Sequence, residues 1–267
     1  MTDKSRIIVI LLAYNAAATL EKFYRDFPKQ LVDQIILLDD ASKDDTFKIA
    51  QKLGIVSYQN KINLGYGGNL KKAIVIALMK GGEIIIDIHP DGEYKPNAIS
   101  QSIQKVKEGA ELVLGNRFYN SNYILRKSGM NKWKLIPIKI LNLFDKLILG
   151  TNINDFHQGF RVYTKNLFEK INFEENSNNY LFSFEIIAQA IFQKVKISQV
   201  AVQTRYTGKK RGASLKNSII YSIGTFKILV LFILAKTGQK IKIFQKPKKD
   251  LRSRIAEFFK EKFVSDA

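Results

Sequence analysis

Cysteine is absent from the 267-residue chain. That removes disulfides, zinc-thiolate centres and cysteine nucleophiles, and leaves a reducing compartment compatible with the sequence. No secretory signal is expected either, because Met1 to Arg6 is polar and runs straight into a strand-like segment. Internal repeats and low-complexity linkers are also missing. Acidic residues are scarce, 24 against 43 basic ones, for a formal net charge of +19. The imbalance is concentrated at the carboxyl end, where positions 205–267 carry 16 basic and 4 acidic side chains. Such a surplus suits an anionic membrane, phosphorylated substrates or nucleic acid. Aromatic-rich surfaces and helical modules that read bases are lacking, so nucleic acid is not the expected partner. A long apolar run is missing too: Ile219 to Ala235 would rise about 26 Å, short of a hydrocarbon core of about 30 Å. A helix lying in the interface, or packed on the domain, is expected there.

What is present is alternation. Arg6 to Ala13, Gln34 to Leu38, Ile55 to Gln59, Glu83 to Ile88 and Glu111 to Leu114 read as buried strands, separated by helical patterns at about Ala18 to Phe27, after the turn and N-cap residues Ser42 to Asp45 as far as about Leu53, at Asn69 to Met79 and at Asn97 to Glu108. This predicts a doubly wound, mostly parallel α/β sheet. Later segments continue less regularly. An apolar helix is expected at Lys134 to Leu149, a loop and strand at Asp155 to Tyr163, a helix at Tyr180 to Phe192 and a strand from Val195 to Arg205. Domain boundaries follow as 1–215 for the α/β unit and 216–267 for an apolar, basic, helical extension. In that extension, basic residues interleave with Phe and Ile, which fits an anionic membrane surface, while Leu251 to Phe263 fits a helix packed on the core equally well.

Polar clusters fall at the strands' carboxyl ends, where an open α/β sheet forms its crevice: Tyr14-Asn15, Asp39-Asp40, His89-Pro90-Asp91 and Asn116-Arg117. In an extended strand Asp87, His89 and Asp91 share one face. Asp91, with His89 and Glu93, would hold a divalent cation against phosphate oxygens; carboxylates suit Mg²⁺, and imidazole tilts the choice toward Mn²⁺. The glycines at Gly65 to Gly68 lack the full spacing of a dinucleotide fingerprint.

Taken in order, Tyr14-Asn15, Asp39-Asp40-Ala41-Ser42-Lys43-Asp44, Asn63-Leu64-Gly65-Tyr66-Gly67-Gly68, His89-Pro90-Asp91-Gly92-Glu93-Tyr94-Lys95-Pro96 and Asp155-Phe156-His157-Gln158-Gly159-Phe160-Arg161 resemble the motifs of family 2 glycosyltransferases. The branch most resembled contains dolichyl-phosphate mannose and polyprenyl-phosphate glucose synthases. The resemblance spans about residues 6 to 215 and implies a GT-A fold, a nucleotide-sugar donor and inverting transfer assisted by Mn²⁺ or Mg²⁺. It implies Asp39 and Asp40 at the base and ribose, with Tyr14, Asn15, Asn63 and Gly67 lining the nucleotide pocket. His89 stands where the first acid of the metal motif is usual, Glu93 where Gln is frequent, and Ala16 where an acid commonly follows Tyr-Asn.

Arg117, Arg161 and Arg205, with Lys209, Lys210 and Arg211, would clamp phosphates of donor, acceptor or both. A lipid phosphate is already ionised near neutral pH, so its transfer needs positioning more than a strong base. A sugar-hydroxyl acceptor would need a carboxylate, for which Asp155 is the first candidate; Asp155 alternatively orients Arg161 or a loop backbone. Glu185 is expected in a buried ion pair with an arginine. The expectation is therefore sugar transfer to a polyprenyl phosphate by a peripheral or interfacial enzyme on a membrane's cytoplasmic face. The alternatives are a glycosyltransferase extending a cell-surface glycan and, in another class, a nucleic-acid-binding protein or a noncatalytic membrane scaffold.

Overall fold

A computed structural model describes residues 5–91, 93, 98–120, 128–129, 132–205 and 215–261. Among these, seven strands form one sheet: β1 (Ile7–Ala13), β2 (Gln34–Asp39), β3 (Val56–Gln59), β4 (Ile84–Ile88), β5 (Leu112–Asn116), β6 (Arg161–Thr164) and β7 (Ile197–Ala201). Their spatial order is β3-β2-β1-β4-β6-β5-β7. The predicted parallel arrangement holds for every pairing except those of β6, which runs antiparallel to both β4 and β5. The chain winds outward from β1 to β3, then returns to place β4 on the other side of β1. That reversal puts a crevice at the carboxyl ends of β1 and β4.

The central strands β1 and β4 are buried along their whole length and, Asp87 apart, apolar, because both faces are covered. In β1, Ile8, Ile10 and Leu12 enter one core, while Ile7, Val9, Leu11 and Ala13 enter the other. The second core packs on helices α1 (Ala17–Asp26), α2 (Thr46–Lys52) and α4 (Ile99–Lys107). The first packs on α3 (Gly65–Met79), α6 (Lys165–Lys170), α7 (Phe182–Phe192), α8 (Leu215–Lys236) and α9 (Leu251–Phe259). The remaining helix, α5 (Lys132–Leu149), follows β5.

At 22 residues α8 is longer than its apolar run suggested, about 33 Å. Its stretch Asn217–Lys236, of mean hydropathy 2.1, is long and apolar enough to cross a membrane by length and composition. One face nonetheless packs on the domain: Ile228, Leu229, Phe232 and Ala235 are buried, and the Phe232 ring meets Phe192 at 5.7 Å. The opposite face exposes Ile219, Ile223, Phe226, Val230 and Ile233. Helix α5 presents a second exposed stripe, Ile136, Ile140, Leu143, Phe144 and Leu147, at helical spacing. The rings of Phe144 and Phe226, 6.0 Å apart, join the two stripes into one apolar patch.

In the basic tail, apolar side chains turn inward. Phe244 and Leu251 are buried, and Ile255 and Phe258 pack on the core. Arg254 fastens α9 from within, donating to the Phe168 and Ile171 carbonyls at 2.8 and 2.7 Å and to Glu174 at 2.6 Å. Of the two alternatives for Leu251 onward, core packing is the one found.

Candidate active site

At the ends of β1 and β2, two loops are stitched together by short polar side chains. Asn15 adopts a left-handed backbone (φ 51°); its amide donates to Ser42 Oγ at 2.8 Å, and its Oδ1 accepts from the Lys43 amide at 2.8 Å. Ser42 in turn donates to buried Asp39, which also accepts from Gln59 Nε2 at 2.7 Å. Asp40 works inward: its Oδ1 takes the Asn60 amide group at 2.9 Å and the Leu64 N–H at 2.8 Å, and its carbonyl accepts from Asn63 at 3.1 Å. Asp40 and Asn63 thus shape the loop before α3, with Asp39 at the base of the crevice and Tyr14 exposed at its rim.

Gly67, expected beside the nucleotide, packs closely against the 177–179 segment and Phe182. Its N–H donates to the Asn178 carbonyl at 2.8 Å, and a Cβ there would lie 2.8 Å from both the Asn179 carbonyl oxygen and Phe182 Cβ. Buried Lys71, one turn on, donates to the Glu174 and Asn176 carbonyls and to Asn178 Oδ1. Glu185 closes the same corner by accepting from the Ser177 amide and hydroxyl, both at 2.7 Å. Its expected arginine partner is therefore replaced by Ser177, with Lys71 as the nearby charge. Burial raises the Glu185 carboxyl above its ordinary pKa, against the Ser177 hydrogen bonds and Lys71.

Beyond β4 the metal motif begins. The His89 imidazole stacks on Tyr66 at 5.6 Å, and Tyr66 stacks on Tyr180 at 5.3 Å, so aromatic rings fix its plane. Behind it lies Asp87, fully buried, with Oδ1 lacking a hydrogen-bond partner and 4.0 Å from His89 Nε2. The other oxygen has only long contacts to the Tyr66 and Tyr163 hydroxyls, at 3.5 and 3.4 Å. Desolvation pushes the Asp87 carboxyl up, opposed by His89 and by buried Arg161, its partner across β4 and β6. Asp91 accepts from the Glu93 amide at 2.8 Å, and the Glu93 carbonyl accepts from the amide of Arg205 at 2.8 Å. The segment after β7 is thereby tied to the loop that carries Asp91, with the Arg205 side chain exposed. Among the described residues no three His, Asp or Glu side chains form a closed metal cage. Lys209, Lys210 and Arg211 lie outside the described residues.

On the β5 side, Asp155 grips Arg117. It accepts from the Arg117 amide at 3.0 Å, from Nε at 2.8 Å and from Nη2 at 2.8 Å, while Nη2 also reaches the His157 carbonyl at 2.9 Å. The orienting contact that Asp155 makes is thus to Arg117 rather than Arg161. A cleft of about 470 Å³ opens beside it, lined by Asn116, Phe118, Tyr119, Lys139, Leu143 and Lys146 among others; a smaller hollow of about 210 Å³ holds Arg117 and shares Tyr119.

Residues 8–172 match glycosyl transferase family 2. The chain belongs to that family. This family 2 enzyme is 29% identical to an uncharacterized protein of Methanocaldococcus jannaschii, over 88% of the chain and 93% of the relative. It is 26% identical to UDP-N-acetylglucosamine–dolichyl-phosphate N-acetylglucosaminyltransferase of Methanococcus voltae, over 90% and 99%. Polyprenol monophosphomannose synthase of Mycolicibacterium smegmatis is 23% identical, over 60% and 62%. In fold the enzyme is GT-A-like: glucosyl-3-phosphoglycerate synthase of Mycobacterium tuberculosis, bound to UDP, superposes with a TM-score of 0.66 at 19% identity, covering 86% of this chain and 80% of that one. The same synthase has also been seen with Mn²⁺ and UDP-glucose.

Around this family 2 site, several buried polar side chains carry little sequence signal. Tyr66, ahead of the helix expected from Asn69, lies within the first turn of α3. Tyr163, Lys71, Asp145, His157 and Tyr221 each have a polar neighbour in sequence, namely Thr164, Lys72, Lys146, Gln158 and Ser222, so nothing in the sequence sets them apart.

Proposed function

We propose that the enzyme moves a sugar, with inversion, from a nucleotide-diphosphate donor to a polyprenyl, dolichyl-type phosphate at the cytoplasmic face of a membrane. The observation that carries this reading is Arg117. Fixed by Asp155, it stands beside a cleft whose wall supplies Lys139, Lys146 and Leu143, and Leu143 belongs to the exposed apolar stripe of α5. An anionic headgroup at the arginine and an acyl chain along α5 and α8 would satisfy both surfaces at once. The similarity to the Methanococcus voltae transferase over nearly its whole length supports a lipid phosphate acceptor. Because the Asp155 carboxylate is taken up by Arg117, the hydroxyl-acceptor alternative loses its candidate base.

On the donor side, Tyr14, Asn15 and Asp39 would contact the nucleoside, with Arg161 and Arg205 contributing positive charge near its phosphates. His89 and Asp91 would hold the divalent cation. An open pair of protein ligands is suited to an ion shared with substrate phosphates, and a mixed imidazole and carboxylate set fits Mn²⁺ as well as Mg²⁺. When bound, the cation would neutralise charge on the diphosphate leaving group. Positions 216–267 would act as the membrane-proximal extension of the 1–215 transferase unit, seated on it through α8.

The test is transfer itself. Purified protein with Mn²⁺ or Mg²⁺ is screened against nucleotide sugars for thermal stabilisation, and stabilising donors are then offered polyprenyl phosphate in vesicles. Sugar recovered on the lipid is the expected result. Transfer to a glycan but not to the lipid, with any stabilising donor, would overturn the proposal.

A further inference from the structure

Away from the donor crevice, a buried polar chain joins the two helices that carry the apolar patch. His157 Nε2 lies 2.8 Å from Asp145 Oδ2 on α5, and Nδ1 lies 2.8 Å from the Tyr221 hydroxyl on α8. Side-chain exposure is 8% for His157 and nil for Asp145. An ionised carboxylate only accepts hydrogen bonds, so Nε2 carries the proton toward Asp145, and in the neutral ring Nδ1 accepts from the Tyr221 O–H. Phe184 stacks beneath the ring at 5.9 Å, and Tyr221 meets it edge-on at 5.4 Å. The imidazole is therefore held from several sides.

The main chain of the same residue holds something else. The His157 carbonyl accepts from Arg117 Nη2, and Asp155, two residues earlier, grips the rest of that guanidinium. The side chains flanking the two ring partners point outward: Phe144 and Leu147 beside Asp145, Ile220 and Ile223 beside Tyr221. These are patch residues.

We propose that His157 is a positioning residue that sets Arg117 according to how α5 and α8 are seated on a lipid surface. The inference rests on reading Arg117 as the clamp for the acceptor's phosphate. Either helix, when displaced, pulls on one ring, and that ring belongs to the residue whose carbonyl fixes the arginine. Seating the patch in acyl chains would thus complete the acceptor site, and donor binding on the far side of β4 would be untouched.

The experiment uses full-length protein and the variants Tyr221→Phe and Asp145→Asn, each alone and combined with Arg117→Lys. Tyr221→Phe deletes a single hydroxyl; Asp145→Asn keeps the shape and removes the charge. On vesicles carrying polyprenyl phosphate, the acceptor KM should rise about three- to tenfold, the worth of one hydrogen bond, while kcat and donor KM stay within about twofold. The Arg117 Nε–H resonance should shift in both variants, and the KM effect should disappear in the Arg117→Lys background. An unmoved Arg117 resonance with unchanged acceptor KM would overturn the inference, as would an equal KM rise with and without Arg117. If the wild type shows no saturable response to polyprenyl phosphate, the acceptor reading falls instead, and the resonance still decides whether His157 is coupled to Arg117.

Discussion

Asp155 and Arg117 are bound to each other more completely than to solvent, with side-chain exposures of 0% and 6% and N–O distances of 2.8 Å at Nε and Nη2. Removing one partner of such a pair strands a buried charge, at a cost of about 3–5 kcal/mol. Asp155→Asn is accordingly expected to lower stability in chemical denaturation along with transfer, and adding Arg117→Gln should restore part of the stability. A stable Asp155→Asn that loses transfer alone would instead revive the general-base reading.

Gly67→Ala tests packing against ligand contact. The added methyl meets main-chain oxygens of residues 177 and 179, which cannot rotate away. A loss of about 1–3 kcal/mol is expected, visible as a lowered melting temperature without any donor present. Unchanged stability with weakened donor binding would return Gly67 to the nucleotide pocket.

Much of this architecture is legible in sequence because buried parallel strands leave apolar runs, as in Ile7 to Ala13 and Ile84 to Ile86. The ends of β1 and β2 bring Asn15 and Asp39 together through Ser42, as their order implies. The place of β6 is not legible. Its four residues look like any short strand, and only pairing with Asp87 and Leu114, far away in the chain, sets its direction. An arginine is expected beside Glu185 because charge pairs with charge; α7 instead faces α3, where Lys71 is the nearby cation. Asp145, His157 and Tyr221 carry no mutual spacing signal, since three separate elements deliver them.

Glu185→Gln should reveal a pH-dependent term. The folded carboxyl has a raised pKa, so between the ordinary and the raised value the native state holds more proton than the unfolded chain. Stability contributed by Glu185 is then present below the ordinary value and lost as pH rises through the raised one. Denaturation series from about pH 4 to 8 should show the wild type losing stability relative to Glu185→Gln with increasing pH. A difference that does not vary with pH would remove the titration from Glu185.

The apolar patch can be blunted without touching the core, since Ile140 and Ile223 are 51% and 65% exposed. The double variant Ile140→Ser and Ile223→Ser should weaken binding to anionic vesicles by about tenfold or more, from the lost burial of two large side chains. Donor-induced thermal stabilisation should be unaltered. Vesicle binding at wild-type strength would move the membrane contact elsewhere.

His89→Asp replaces imidazole by carboxylate beside the same Tyr66 ring. Harder oxygen ligation should shift ion preference toward Mg²⁺, read as a larger stabilisation by donor with Mg²⁺ relative to Mn²⁺ than in the wild type. An unchanged ratio would show that His89 does not reach the ion.

The antiparallel β6 also governs the order in which the molecule can be made. β5 is synthesised well before β6 and β7, yet these are its sheet neighbours, and the edge of β4 stays unpaired until Arg161 to Thr164 arrives. A nascent chain ending anywhere before residue 161 therefore carries two open strand edges and half a crevice. Closure waits for contacts across more than 70 positions, the kind of pairing that forms late and leaves edges open to misassembly meanwhile.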